Sequence, residues 1–408
     1  MEFKRRDILT AAAATAAASA TGLGMSAFAQ QRKPLRLGVI NDQTGMFAAA
    51  GGPGCVTAAK IAAAELGNAA AGMPVEILVA DNKNNPDLTS SIVRDWFDNK
   101  GVDCVIDGGV SSSALAIQYL ARERKKVYLI SGPGTSDLTE KECAPFSFHF
   151  TRDTYTLARS TGLALTKEGG DSWFFITSDY AFGHALEADT GAFVKAGGGR
   201  VVGSVRHPLN TRDMSSFLLQ AKASKAKIIG LANAGADTQN CIKQAAEFGI
   251  TQAGQRLAAL NMFESDVQSV GLDAAQGLYV TAPFYWDLND GCRAFSTAFR
   301  REMPNVPTMV QAGTYSGVHH YLRGVQGAGT ADPVAVSKWM RDNPVNDFYN
   351  ENVKILRNGL VLHKIYLFEV KKPSVSRHKD DVYRMVSFVN GPEAHRKESD
   401  SVCPLLKT

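Results

Sequence analysis

Short apolar runs that break into polar, glycine-rich turns and then into helical periodicity recur along most of this chain. Leu35–Ile40 is the first run. It opens into the polar loop Asn41–Gly45 and the glycine-rich Gly51–Gly54, and the periodicity turns helical over Cys55–Leu66. Pro74–Ala80, Val102–Asp107, Lys126–Ile130 and Phe146–Phe150 repeat the run, while Asp87–Asn99 and Ala114–Arg124 repeat the helix. Apolar runs of this length bounded by turn residues read as strands buried on both faces. Alternation with helices of about a dozen residues predicts a parallel, doubly wound sheet.

The rhythm restarts after Phe150. Helices are predicted over Thr154–Glu168, His184–Ala196, Met214–Ala223 and Gln239–Phe248. They alternate with strands over Ser172–Thr177, Arg200–Arg206, Ile228–Ala232, Leu257–Leu260 and Gly277–Ala282. Pro283–Trp286 reads as a crossover. The C-terminal remainder is too short for a third unit: helices over Arg293–Glu302, Gln311–Ala328 and Pro333–Asp342, then strand-like Val361–Lys371 and Val382–Val389. These pieces complete two α/β lobes joined by several crossing segments, which makes a hinge with a cleft. The expected division is 30–151 with about 283–345 in lobe one, and 152–282 with about 346–408 in lobe two. Ligands of such sheets sit outside the carboxyl ends of the strands.

Composition narrows the class. The chain has 408 residues, 45% hydrophobic and 21% charged, with a formal net charge of +4. That is ordinary for a globular protein and, without a basic face, gives no reason to expect nucleic acid as a partner. Residues 1–29 read as a signal peptide: basic Lys4-Arg5-Arg6, an Ala-rich mildly apolar stretch to Phe28, and the small-residue site Ala27-Phe28-Ala29. Arg5-Arg6 resembles a twin-arginine signal, although Lys4 stands where Ser or Thr is usual. The mature chain, from Gln30, is expected to be periplasmic and monomeric. Export makes disulfides possible for the six cysteines. Six permit 15 pairings. The expectation is Cys143–Cys403 as a staple for the tail, then Cys55–Cys104 and Cys241–Cys292, with buried free thiols as the alternative.

The chemistry favours binding over catalysis. No nucleophile elbow, zinc-protease helix, phosphate loop or dinucleotide fingerprint is present. No cysteine or histidine cluster has metal-ligand spacing, so neither a metal nor a cofactor is expected. His319 and His320 are adjacent on a helix and point apart. A hydrolase built on Ser111 is the enzymatic alternative, but no base stands near it in any motif. The strand ends carry small polar loops: Asn41–Gly45, Gly108–Ser113, Gly132–Ser136, Ser178–Phe182 and Asn233–Asp237. Hydroxyls and free N–H groups at helix starts suit a carboxylate. Phe47, Tyr155, Tyr180, Phe182, Phe263, Phe284, Tyr285 and Trp286 lie at or beside these ends and suggest an apolar slot wide enough for a ring.

Several stretches together carry a family resemblance: LRLGVINDQTGMFAAAGGPGCVTAAKIAAAEL, VDCVIDGGVSSSALAI, VYLISGPGTSDLT, SDYAFGHALEADT and NAGADTQNCIKQAAEFGI. Across the mature chain the sequence resembles the periplasmic solute-binding proteins of the branched-chain amino acid (type I) ABC importers. The resemblance implies a two-lobe Venus-flytrap α/β fold, each lobe a mostly parallel sheet flanked by helices, joined by a multi-strand hinge. It also implies docking on an ABC permease. By the family pattern, Ser111, Ser112, Ser113 and Thr135 meet a ligand carboxylate, with Gly132 and its neighbours donating backbone groups. Tyr180, Phe182 and Asn233 close from the second lobe, and Phe47, Tyr155 and Phe263 complete the aromatic wall. Amino-acid binders of the family also bring an acid from the second lobe. Here the matching stretch is Leu260-Asn261-Met262-Phe263, and Glu264 is the nearest acid. That departure, with the ending Cys403-Pro404-Leu405-Leu406, resembles the subgroup that takes benzoate- or cinnamate-like acids. Branched-chain amino acids, amides, or a receptor-sensing role without transport are the alternatives.

Overall fold

Strand β1 (Leu35–Asn41) is the axis of the first lobe, and all of it except Arg36 is buried. Gly38 lets the Trp96 ring lie on the strand, since a Cβ there would meet that ring at 2.3 Å. In the computed structural model, which describes residues 32–407, β1 pairs in parallel with β3 (Met73–Asp81) and β4 (Cys104–Asp107). The hairpin strand β2 (Ala69–Ala70), β5 (Val127–Ile130) and β6 (Ser147–His149) complete the order β2-β3-β1-β4-β5-β6. The expected signal peptide lies outside the described residues. Burial on both faces is what near-continuous apolar strands require.

The second lobe is built around β7 (Ser172–Ser178), buried at every residue. With β8 (Arg200–His207), β9 (Ile228–Ala232) and β10 (Arg256–Ala259) it forms a parallel sheet of order β10-β9-β7-β8. A separate antiparallel sheet of β11 (Tyr279–Ala282), β12 (Ile365–Val370) and β13 (Tyr383–Val389) packs against β10. The helix expected over Thr154–Glu168 is interrupted by a π turn at Ala158–Gly162.

Much of the C-terminal third packs against the first lobe. Helices Asp290–Phe299 and Met309–Ala328 pack on helix Gly52–Glu65 of the first lobe. Residues 346–363 meet lobe one, and the tail beyond β13 touches both lobes, Cys403 on lobe one and Arg396 on Asp189 of lobe two. Leu360 bridges His149 of β6, and Asn358 Nδ2 donates to the Thr139 carbonyl at 2.8 Å. Cys143 and Cys403 form the expected disulfide, which staples the tail to lobe one.

The other two expected pairings are absent: Cys55, Cys104, Cys241 and Cys292 are free and buried. Cys55 hydrogen-bonds toward Asp107 and Thr314, whereas Cys104 faces the Val105 carbonyl. Cys241 belongs to a lobe-two helix and accepts from Asn233 Nδ2 at 3.5 Å, while Cys292 sits in a lobe-one helix. Burial pushes all four thiols up, so none is a ready thiolate. Among the described residues no helix is long and apolar enough to cross a membrane.

Candidate functional site

The carboxyl ends of β1, β4 and β5 face those of β7, β9 and β10 across a narrow cleft. Asp42, just past β1, shapes one wall. Its Oδ1 accepts from Gly45 N at 2.6 Å, and its Oδ2 accepts from Phe47 N at 2.9 Å and Asn84 Nδ2 at 2.6 Å. The carboxylate thereby folds the loop that presents Phe47. Asp107 does the same at the end of β4. It is buried at φ 78°, accepts from Asn41 Nδ2 at 2.6 Å and Gly132 N at 2.8 Å, and so ties three strand ends together. Burial pushes its carboxyl up, against the pull of those donors.

Ser111 is the first residue of helix Ser111–Glu123, not part of a preceding loop. Its Oγ accepts from Gly134 N at 3.3 Å and Thr135 N at 3.2 Å, which locks the loop after β5. The residue before it, Val110, offers no side-chain cap, so the first-turn N–H groups are left open beside the cleft.

Arg152, on the first crossing between lobes, is 1% exposed and lines the cleft. Its Nε and Nη2 donate to Asn261 Oδ1 at 3.2 and 3.0 Å, and its Nη1 donates to the Gly132 carbonyl at 3.0 Å. The guanidinium lies 5.7 Å from the Phe263 ring centre. It makes no ion pair with any described Asp or Glu, and burial lowers its pKa only to about 10, so it remains charged. His149, buried beside it, is pushed to about 3 by burial and by the Arg152 charge and stays neutral. Arg152 is therefore the one cation among the described residues that line the cleft.

The lobes are closed on each other through glycines. A Cβ at Gly134 would meet the Phe182 ring at 2.8 Å, and one at Gly235, φ +57°, would meet the Phe47 ring at 2.8 Å. Beside the cleft, Asp189 of lobe two accepts from Ser136 Oγ at 2.9 Å and pairs with Arg396 of the tail at 3.4 Å.

Of the eleven residues expected at the site, Phe47, Ser111, Gly132, Tyr180, Phe182 and Phe263 line the cleft. Five do not. Ser112 is not among the residues that line the cleft, and Ser113 Oγ accepts from Thr89 Oγ1 at 3.1 Å. Thr135 is fully buried and caps a short turn through Asp137 N. Tyr155 packs edge-on to Phe193 at 5.0 Å, under the Arg396 guanidinium. Asn233 is buried, accepting from Thr238 Oγ1 at 2.7 Å and meeting His207 Nε2 at 3.2 Å.

Sequence reading missed Arg152 and Asp107 as site residues, and gave Asp42 and Asn261 only as members of the Asn41–Gly45 loop and the Leu260–Phe263 stretch. The acid nearest Asn261 in that stretch, Glu264, is buried away from the cleft, its carboxyl pushed up to about 8 by burial. Asp237 is likewise held back, accepting from Asn210 N and Thr211 N. No group of three or more His, Cys, Asp or Glu among the described residues could hold a metal.

Two lobes closing on a cleft lined from both sides define a solute-binding protein of the type I class, which holds its ligand without transforming it. The chain belongs to the periplasmic binding protein family, whose sequence pattern matches residues 34–377. It is similar to a periplasmic binding protein from Burkholderia mallei: 43% identity, TM-score 0.89, 91% of this chain and 99% of that one. A branched-chain amino acid ABC transporter periplasmic ligand-binding protein from Burkholderia xenovorans LB400 is 34% identical at TM-score 0.82, over 91% of this chain and all of that one. The fold is shared, at 23% identity and TM-score 0.78, with an ABC transporter solute-binding protein of Rhodopseudomonas palustris BisB5. That protein was solved with 3,4-dihydroxybenzoic acid, and the likeness covers 88% of this chain and 98% of that one.

Proposed function

We propose that this chain is the exported solute-binding component of an ABC uptake system, and that it takes a small aromatic carboxylate in the interlobe cleft and delivers it to a membrane permease. The observation that carries the reading is Arg152, a buried guanidinium at the cleft wall with no protein carboxylate as partner. A charge held this way is costly unless something pairs with it. Of its five N–H donors three are spent, which leaves one on each Nη for a ligand. Around it stand Phe47, Tyr180, Phe182 and Phe263, a ring-sized apolar wall. The Tyr180 hydroxyl has no hydrogen-bond partner among the described residues, so it is free for a polar group of the solute.

The relative from B. xenovorans carries a branched-chain amino acid name, and this favours a second reading in which the solute is an α-amino acid. The two differ by the need for an acid facing an ammonium. A thermal-shift panel on the chain from Gln30 separates them, since a ligand that binds only the folded state raises the melting temperature. Benzoate, cinnamate and 3-phenylpropionate are set against Leu, Ile, Val and Phe. The expected result is a concentration-dependent shift with the acids and none with the amino acids. A shift with the amino acids alone sinks the aromatic-acid reading.

A further inference from the structure

The Arg152 charge survives in the closed cleft because of what holds it. Its two strongest side-chain contacts both go to one atom, Asn261 Oδ1, at 3.0 and 3.2 Å. Asn261 is itself 2% exposed and lines the same cleft. An amide oxygen fixes the guanidinium plane as a carboxylate would, yet carries no charge to neutralise it. The Asn261 Nδ2 group, on the other side of the same amide, has no hydrogen-bond partner among the described residues, so it adds two N–H donors beside the two that Arg152 keeps.

The acids of the cleft are engaged elsewhere. Both oxygens of Asp42 accept from Gly45 N, Phe47 N and Asn84 Nδ2. Both oxygens of Asp107 accept from Asn41 Nδ2, Gly132 N and Gly109 N. Neither forms an ion pair with Arg152, and each is tied to the loop it shapes. The cleft therefore presents one cation that no carboxylate touches, and its carboxylates are held by protein N–H donors.

We propose that Asn261 is the positioning residue that sets the selectivity of this cleft: it orients Arg152 without neutralising it, so the site takes a solute with one carboxylate and no charged amine. This rests on the carboxylate reading given above. Aspartate has nearly the same shape as asparagine, so Asn261→Asp keeps the packing while adding a negative charge in place of the amide donors. It should pair with Arg152, remove the two Nδ2 donors and repel the incoming carboxylate.

The test measures two quantities on the full mature chain: the dissociation constants of benzoate and cinnamate by calorimetry, and the melting temperature without ligand. In Asn261→Asp the affinity for both acids should fall about 100-fold, the scale for spoiling a buried charge pair. The ligand-free melting temperature should stay level or rise, because a lone buried cation gains a partner. A role in packing alone predicts the opposite for stability, with affinity and melting temperature falling together, and that result overturns the proposal. So does an affinity within threefold of the parent while the parent binds the acids. If the parent binds neither acid, the carboxylate reading fails and takes this proposal with it.

Discussion

Eight helices among the described residues have ten or more residues, and they start in two different ways. Pro86–Asp98, Asp290–Phe299 and Pro333–Asp342 begin away from the cleft and Met309–Ala328 begins beside it at Val310, each behind a side-chain cap: Asn85, Asn289, Asp332 and Thr308. Gly52–Glu65, Ser111–Glu123, Ala181–Ala196 and Ala236–Glu247 begin at the cleft, behind Gly51, Val110, Tyr180 and Gly235, and none of these gives a side-chain cap. A missing cap costs a helix about 1 kcal/mol, so a protein that caps half its long helices well and leaves the other half open is forgoing stability in one place. These open helix starts and Arg152 line the same cleft, an arrangement suited to an anion.

The comparison is broken most severely by removing the cation and leaving the dipoles. Arg152→Gln should weaken binding of benzoate-type acids by a few hundredfold, about 3 kcal/mol or more for a buried charged partner, in a calorimetric titration. A loss under fivefold means that the helix ends alone hold the carboxylate.

Closing one open helix end should act next. Val110→Thr puts a hydroxyl where it can accept from the first turn of Ser111–Glu123. The acid affinity should drop about five- to tenfold, on the scale of one net hydrogen bond, with the ligand-free melting temperature held or raised. The smallest effect is expected from uncapping a helix that faces away. Asn85 accepts from Asp87 N and Leu88 N, both at 2.9 Å. Asn85→Ala should cost about 1 kcal/mol in chemical denaturation and leave the ligand dissociation constant unchanged. A shift in that constant would show that capping acts on the protein as a whole and that the contrast between the two groups of helices is not about the ligand.

Much of the fold was legible because each buried strand announces itself twice, by an unbroken apolar run and by the polar turn after it. β1, β5, β7 and β9 were placed within a residue or so on that basis. The destination of the tail was not. Residues 345–361 form isolated bridges rather than a periodic strand; two are local, and the third joins Leu360 to His149, some two hundred residues earlier in the chain. At the site, apolar and hydroxyl residues on strand-end loops could be named from the pattern. Ser111 was found this way, although its Oγ turns out to fasten the Gly134–Thr135 loop.

Arg152 could not be named, and Asn261 was named only as part of the stretch where an acid was missing. An arginine after a strand is ordinarily a solvated residue, and nothing in the neighbouring sequence says that this one is enclosed by a residue 109 positions later. The alternation of capped and uncapped helices was, by contrast, written in plain sight. The residues Gly51, Val110, Tyr180 and Gly235 stand where the other four helices have Asn, Thr or Asp.

The bond between Cys143 and Cys403, 260 residues apart, has a topological consequence. Every crossing between the lobes, and the whole of the second lobe, lies between those two cysteines. The lobe that swings is thus a closed loop of chain fastened at both ends to the lobe that stays. A protease that nicks any of its exposed turns leaves two pieces of one molecule, still joined by sulfur and still threaded through the same hinge.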